Sequence, residues 1–329
     1  MSRDRRSHAV RIHRTGGPEV LQWDEVQVDE PGPGQVRVRH LAIGLNYIDT
    51  YHRSGLYPLP PMPVTLGLEA AGEVVELGDG VHEVTVGDRV AYVGALGAYC
   101  QERVVDAARL VPIPEGISTE VAAASLLKGM TAEYLLRRTH PVRPGETILV
   151  QAAAGGVGLI ACQWARALGA RVLGTVSTDA KAELARQHGC DSPIVYTRED
   201  FVTRVKELTG GVGVPVVYDS VGQETFEGSL RCLTRRGLLV SFGQSSGPVP
   251  AFDLQKLSRG GSLFLTRPTL FDYTATRDDL LECARAFFEV VLAGTVRIEV
   301  RQRYPLAEAR RAHEDLHGRR TVGSSVLLP

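Results

Sequence analysis

The sequence predicts an α/β protein: a doubly wound parallel sheet joined to a smaller β-barrel domain. Three observations carry this. Short alternating strands with Gly/Asp turns fill the first third; strands then alternate with helices from about Gly145; and "VQAAAGGVG", Val150 to Gly158, joins an apolar run to a helical one.

Taken in order, "QVRVRHLAIG" alternates from Gln35, and "AGEVVELGDGVHEVTVGDRVAYVG" places turn residues between apolar runs. Both read as strands of a small antiparallel barrel. The prolines between Tyr57 and Pro63 mark a loop. "TILVQ", from Thr147, has the pattern of a short buried strand, and "VGLIACQWARALG" has helical spacing. "ARVLGTVS" is a second strand and "DAKAELARQHG" a second helix, with Gly189 as its C′ residue. "SPIVYT" and "VPVVYDSVG" read as strands flanking the helix "EDFVTRVKELTGG". "QETFEGSLRCLTRRG" reads as a further helix, and "LLVSFG" and "SLFLT" as the remaining strands. Right-handed crossovers leave the doubly wound topology. After Arg267 a long amphipathic helix carries the apolar stripe Leu281, Ala284, Phe288 and Val291, with Gly294 just past its end. A strand, "RIEVRQRYPL", a helix, "AEARRAHEDLH", and a last strand, "SSVLLP", follow and return to the first domain. The expected boundaries are 1–127 for the first part of the barrel domain, 128–267 for the nucleotide-binding domain and 268–329 for the returning segment.

Composition narrows the function. Of 329 residues 43% are hydrophobic, enough for two ordinary cores. Lys and Arg number 37 against 38 Asp and Glu, so no basic excess points to nucleic acid or an anionic membrane. The arginine patches at Arg3–Arg6 and Gly318–Arg320 read as solvated. The N-terminus lacks the apolar region of a secretory signal, and no run is long enough to span a bilayer. Five scattered cysteines without a CxxC pair suit reduced core thiols in a cytoplasmic protein.

Residues 153–158 fit the G-x-G-x-x-G frame, with Ala153 in place of the first glycine. Gly155 lets the backbone approach a pyrophosphate, Gly158 lets helix and strand pack closely, and the helix N-terminus favours the negative charge. A site for NADH should also end the second strand with an acid. Here that strand ends Val176-Ser177-Thr178, Lys181 follows one turn on, and Asp179 is placed as a helix N-cap. A hydroxyl and an ammonium suit a 2′-phosphate, so the expected cofactor is NADPH.

No metal is expected. "IGLNYIDTYHRSGLYP" offers Asn46 and Asp49 but no Cys, "LGLEAAGEV" offers Glu69 without an adjacent His, and His40, His52 and His82 are isolated. Neither a catalytic zinc nor a four-thiolate structural zinc can be assembled. Reducing a simple ketone builds alkoxide charge that calls for a Lewis acid or a placed proton donor. A quinone or activated enone delocalises that charge, and Asn46, Tyr51, Tyr57 and Lys128 can stabilise it by hydrogen bonding.

"GLNYIDTYHRSGLYP", "LGLEAAGEV", "GDRVAY", "AAASLLKGMTAEYLL", "AAAGGVGLIACQWARALGA", "VVYDSVG", "GLLVSFGQSSG" and "TVGSSVLLP" together resemble the zinc-free medium-chain dehydrogenase/reductases, within them the NADPH:quinone oxidoreductases related to zeta-crystallin. The resemblance runs almost end to end. It implies a GroES-like β-barrel catalytic domain split around a Rossmann domain, and a homodimer joined through the edge strand "SLFLTRP". An apolar strand edge must in any case be covered or paired. It places Asn46, Asp49 and Tyr51 near nicotinamide and substrate, joined by Lys128 and Thr131, with Tyr134 alongside. It gives the pyrophosphate to Gly155, Gly156 and Val157, and the 2′-phosphate and adenine to Ser177, Lys181 and Tyr196. Ser220, Phe242, Gly243 and Ser245 would line the ribose and nicotinamide side, and Arg267 and Arg319 would contact the cofactor. The implied activity is NADPH-dependent quinone reduction. An enone or enal reductase on the same scaffold, and a non-catalytic nucleotide-binding protein, are the alternatives.

Overall fold

The computed structural model describes residues 5–329, so Arg3 of the N-terminal basic run lies outside the described residues. The chain forms two compact units. One comprises residues up to Leu127, Thr276–Phe288 and Ile298–Pro329; the other comprises Lys128–Ala275 and Glu289–Arg297. The second unit therefore runs past residue 267 and takes back nine residues from the returning segment. A reciprocal pair of hydrogen bonds explains this: Gln163 donates to the Arg297 carbonyl at 3.2 Å and accepts from its amide at 2.9 Å.

The strands in chain order are β1 (Arg6–Ile12), β2 (Leu21–Gln27), β3 (Gln35–Leu45), β4 (Val64–Thr65), β5 (Glu69–Leu77), β6 (Arg89–Val93), β7 (Glu102–Asp106) and β8 (Val111–Pro112). They continue as β9 (Thr147–Val150), β10 (Arg171–Val176), β11 (Ser192–Val195), β12 (Val214–Asp219), β13 (Leu233–Ser241), β14 (Phe264–Thr266), β15 (Val300–Pro305) and β16 (Ser324–Leu328). The α-helices are α1 (Tyr47–Ser54), α2 (Thr119–Tyr134), α3 (Gly156–Ala167), α4 (Asp179–Gln187), α5 (Phe201–Leu208), α6 (Phe226–Cys232), α7 (Gln255–Arg259), α8 (Leu270–Tyr273), α9 (Arg277–Leu292) and α10 (Ala309–His317).

In the first unit β3 is central. It pairs antiparallel with β5, β7 and β16, within the order β15-β16-β3-β5-β6-β8, and β2-β1-β4 form a smaller sheet. Alternation turns Val36 and Val38 of β3 inward, and a register shift between His40 and Ala42 brings Ile43 and Leu45 to the same core, with Ile12, Leu66, Val74, Tyr99, Leu306 and Leu327. The described arginines of the basic patches are solvated, as expected, and also ion-paired: Arg5 meets Glu102 at 2.7 Å, Arg6 meets Glu25 at 2.8 Å, and Arg320 meets Asp315 at 2.8 Å.

The second unit is a six-stranded parallel sheet in the order β11-β10-β9-β12-β13-β14. Strand order reverses between β9 and β12, and sheets of this kind bind ligands at the carboxyl ends of the strands beside such a switch point. The expected helix over 223–237 is shorter. It ends at Cys232, and Leu233 already pairs with Val214 of β12. Leu233 and Gly237 are buried while Arg235 and Arg236 are exposed, and sheet pairing of that apolar edge overrides the helical reading. The face of α9 is also rotated from expectation. Leu280, Cys283, Ala284, Phe287 and Phe288 are buried, whereas Leu281 and Val291 are only half-buried. Spacing from Leu280 runs i, i+3, i+4, i+7, i+8, so Ala284 and Phe288 lie on the buried face as expected, while Leu281 and Val291 fall at its margin. Gly189 and Gly294 do stop their helices in the left-handed region, at φ 90° and 71°.

Among the described residues no helix is long and apolar enough to cross a membrane. All five cysteines are buried and none forms a disulfide. Burial pushes the thiols of Cys100 and Cys232 up to about 12, where they are inert.

Candidate active site

The carboxyl ends of the parallel strands gather most of the expected cofactor residues. The first strand-to-helix turn, after β9, is built by hydrogen bonds to β10: Ala152 N donates to Thr175 Oγ1 at 3.2 Å, and Ala153 N to the Thr175 carbonyl at 3.0 Å. Ala152 takes the left-handed conformation, φ 54°, and its carbonyl accepts from Gly155 N at 2.9 Å. A non-glycine residue thus makes the tight turn that the motif assigns to its first glycine, at a strain cost of about 1 kcal/mol. Gly155 then caps α3 without a side-chain acceptor, and the first intrahelical bond runs from Leu159 N to Gly155 O. The amides of Gly156, Val157 and Gly158 consequently have no intrahelical acceptor, and the helix dipole adds to their positive end. At Gly158 a Cβ would lie 2.4 Å from the Ala152 carbonyl oxygen and 2.8 Å from Ala153 carbon atoms.

A buried polar network holds this turn. Gln151 donates to Ser229 Oγ at 3.0 Å and accepts from Thr175 Oγ1. Ser229 Oγ donates to Asp219 at 2.8 Å. Asp219 also accepts from Val221 N at 2.8 Å and Gly222 N at 3.1 Å, which fixes the loop after β12. The loop after β13 is stitched to it: Phe242 N donates to the Asp219 carbonyl at 2.8 Å and Ser245 N to that of Ser220 at 3.2 Å. Arg267, just beyond β14, donates to the carbonyls of Ser241 and Gly243, both at 2.9 Å. Its guanidinium therefore organises the loop that carries Phe242, Gly243 and Ser245.

The ends of β10 and β11 lie side by side. Tyr196 N donates to the Val176 carbonyl at 3.1 Å, and Thr197 Oγ1 to the Ser177 carbonyl at 3.0 Å. Ser177 and Lys181 are half-buried and Tyr196 is 39% exposed. Asp179 is not the helix cap. Thr178, extended at φ −144°, accepts from Lys181 N, and Asp179 is the first helical residue. Its carboxylate is instead paired with Arg198, which holds it below its ordinary pKa.

Lys128, Thr131 and Tyr134 share α2 and are all buried. Tyr134 stacks on Tyr273 with ring centres 4.5 Å apart, which ties α2 to α8.

In the first unit the α1 N-terminus forms a capping box. Asn46 N donates to Asp49 Oδ2 at 2.9 Å, and the Asn46 side chain accepts from the backbone of Asp49. The Asn46 amide donates to Glu69 Oε2 at 2.8 Å, and Glu69 Oε1 accepts from Leu127 N at 2.6 Å. Gly44 leaves room for this pair, because a Cβ there would lie 2.3 Å from Glu69 Oε2. Asp49 was expected beside substrate. It is 0% exposed and holds Asn46 in place through the capping box. Tyr51 is buried and packs between Tyr47 and Tyr57, with ring centres at 5.6 and 5.1 Å. Arg319 belongs to this unit, in the left-handed region at φ 56°.

Behind Asp49 runs a chain that the sequence did not disclose. Arg53 can only donate, so its 2.8 Å contact fixes Nδ1 of His313 as the acceptor. Nε2 then carries the proton and donates to Tyr99 Oη at 3.0 Å, and Tyr99 donates to Asp49 Oδ2 at 2.8 Å. Burial, reinforced by Arg53, lowers the pKa of His313 to about 3. Burial likewise lowers that of His40 to about 4, while its Nδ1–H donates to the Cys100 carbonyl at 2.7 Å. Both imidazoles are neutral in the fold, but ionise below about pH 6.5 once unfolded. Stability is therefore full above that pH and falls as pH drops toward the folded-state values, by about 2 kcal/mol per pH unit near the middle of the window. Urea unfolding across it should show the slope, and His313→Asn should reduce it; a flat profile in the wild type contradicts the assignment.

Asn46 and Glu69 are thus each other's partners. Among the described residues no group of three His, Cys, Asp or Glu side chains is placed to hold a metal ion. His40 and His52 are buried, and His82 is exposed.

Comparison with known proteins sets these features in a family. Residues 32–146 match the alcohol dehydrogenase GroES-like domain, and residues 156–290 match the family described as zinc-binding dehydrogenase. A quinone oxidoreductase of Pseudomonas aeruginosa is 57% identical, over 95% of this chain and 97% of its own. A 2-haloacrylate reductase of a Burkholderia species is 48% identical, over 98% of each chain. The crystal structure of Escherichia coli quinone oxidoreductase complexed with NADPH superposes with a TM-score of 0.96 at 51% identity, covering 98% of this chain and 100% of that one.

Proposed function

Because this chain belongs to the zinc-free medium-chain dehydrogenase/reductases, in their quinone oxidoreductase branch, we propose that it reduces quinones with NADPH, by hydride transfer and without a metal. The observation that carries the reading is the carboxyl edge of the parallel sheet. It combines a glycine turn, a helix N-terminus without a side-chain cap, and Ser177 where an NADH site carries an acid.

These residues fit NADPH. The amides of Gly156 and Val157, approached past Gly155, meet the pyrophosphate. Ser177, Lys181 and Tyr196 take the 2′-phosphate and adenine, and Ser220, Phe242, Gly243 and Ser245 line the ribose and nicotinamide side. Arg267 acts through that last loop, and the family resemblance gives Arg319 a cofactor contact. Bound there, the cofactor supplies a hydride. The chain supplies binding, orientation and charge stabilisation. As a quinone carbonyl oxygen gains negative charge, the ring delocalises it, so donors such as Asn46, Tyr51, Tyr57 and Lys128 suffice in place of a Lewis acid. Thr131 and Tyr134 shape the wall beside Lys128.

The likeness to a 2-haloacrylate reductase favours a second reading, reduction of an activated carbon–carbon double bond. Steady-state rates with 1,4-benzoquinone, larger quinones and alkyl enones separate the two. Turnover of enones with none of quinones would replace the first reading by the second. Lys181→Ala should raise the KM for NADPH about tenfold or more and that for NADH far less, since only NADPH loses a charged partner. Equal effects would remove Lys181 from the 2′-phosphate.

We further place a second copy of this chain against β14. Among the described residues that strand is paired on one side only and leaves Phe264 59% exposed, an apolar edge that a matching strand would cover. Five buried thiols without a disulfide suit the reducing cytoplasm.

A further inference from the structure

We propose that Arg198 is a specificity-determining residue, which neutralises Asp179 and so admits a 2′-phosphate to the end of the second parallel strand. The inference rests on the NADPH reading and adds to it a residue and an electrostatic reason.

The second strand of an NADH site ends in an acid whose charge excludes the phosphate. In this chain Ser177 stands at that end, yet the acid has not gone. Asp179 follows two residues later with its side chain 73% exposed. In the first turn of α4 the helix dipole favours its ionised form. Left alone, it would place a full negative charge within a turn of Ser177 and Lys181, and would oppose a phosphate much as the usual acid does.

Arg198 removes that charge by a two-pronged pairing. Its Nη1 donates to Asp179 Oδ2 at 2.7 Å and its Nη2 to Oδ1 at 2.6 Å. This fork satisfies both carboxylate oxygens in one plane. The pairing is anchored, since the backbone on both sides is stitched. Arg198 N donates to the Val195 carbonyl at 3.1 Å, and the preceding Thr197 and Tyr196 bond to Ser177 and Val176 at 3.0 and 3.1 Å. The neighbouring acid, Glu199, is turned back on its own segment, accepting from Val195 N at 3.2 Å and facing Arg204 at 3.7 Å. Glu199 also attracts Arg198 through its charge, but more weakly than Asp179, whose hydrogen bonds come first among the causes that raise the Arg198 pKa. An exposed pair of this kind adds little to stability. Its consequence is local: the pair brings no net charge to the strand end, whereas Asp179 alone brings one negative charge.

The test is calorimetric binding of NADPH, NADH and adenosine 2′,5′-bisphosphate to the wild type, Arg198→Gln, Asp179→Asn and the double variant. Arg198→Gln should weaken NADPH and the bisphosphate about five- to tenfold, and NADH by less than about twofold, as expected for one uncompensated charge near a dianion. The loss should shrink at high salt. Adding Asp179→Asn should restore NADPH binding, because the charge that Arg198 cancelled is gone. NADH binding reports that each variant is folded. Equal losses for NADPH and NADH, or no recovery in the double variant, would overturn the role of Arg198 while leaving the NADPH reading in place. A wild type that binds NADH as tightly as NADPH would overturn both.

Discussion

Replacing Gly158 by alanine is expected to lower stability by about 2–4 kcal/mol and to remove most of the affinity for NADPH. The new Cβ would sit 2.4 Å from the Ala152 carbonyl oxygen and 2.8 Å from two carbons of Ala153. All three atoms are backbone, so no side chain can swing away. Relief requires α3 to move off the turn after β9. That movement shifts the amides of Gly156 and Val157 and strains the bonds from Ala152 and Ala153 to Thr175. Gly155→Ala is the instructive contrast. Its Cβ would meet only the Ala152 carbonyl oxygen, at 3.1 Å. That variant should fold nearly normally, yet bind NADPH at least about tenfold more weakly, because the methyl group occupies the approach of the pyrophosphate. Thermal unfolding with and without NADPH separates the two. Equal stability loss in both variants would show that the close contact at Gly158 is not what seats the helix.

Asp49→Ala should lower stability by about 3–5 kcal/mol and sharply reduce kcat. The carboxyl is fully buried and accepts from Asn46 N and from Tyr99 Oη. Alanine leaves both donors without that acceptor, and the chain from Arg53 through His313 loses its end. Tyr99→Phe removes only the hydroxyl and should destabilise by about 1–3 kcal/mol. Asp49 and His313 should not be additive: a double-mutant cycle between them should show coupling of about 1 kcal/mol or more, carried by Tyr99, which bonds to both. Additive losses would mean that Asp49 and His313 act independently.

The rhythm of the second unit was legible because its central strands β9, β10 and β12 are almost wholly buried and so read as unbroken apolar runs between amphipathic helices. The glycine turn was legible because its function depends on spacing. The segment after Phe226 was not. Seven helical residues lead directly into a strand, and only the pairing of Leu233 with Val214 decides where the change falls. The cap of α4 was ambiguous for a local reason, since Thr178 and Asp179 are both capping residue types and the extended φ of Thr178 settles it. The cluster behind Asn46 had no local signature. Arg53 and His313 are 260 residues apart, and Tyr99 reaches both Asp49 and His313 from a loop after β6. The burial of Asp49 and its bond from Tyr99 were therefore not visible in the sequence around it.

NADPH oxidation by a quinone, followed in enzyme that has been treated with a strong chelator and analysed for metals, tests the central claim most directly. NADPH should disappear only when quinone is present, at the same rate before and after chelation, and NADH should be the poorer donor. Failure to consume NADPH with any quinone, or activity lost to the chelator and regained with zinc, would contradict it.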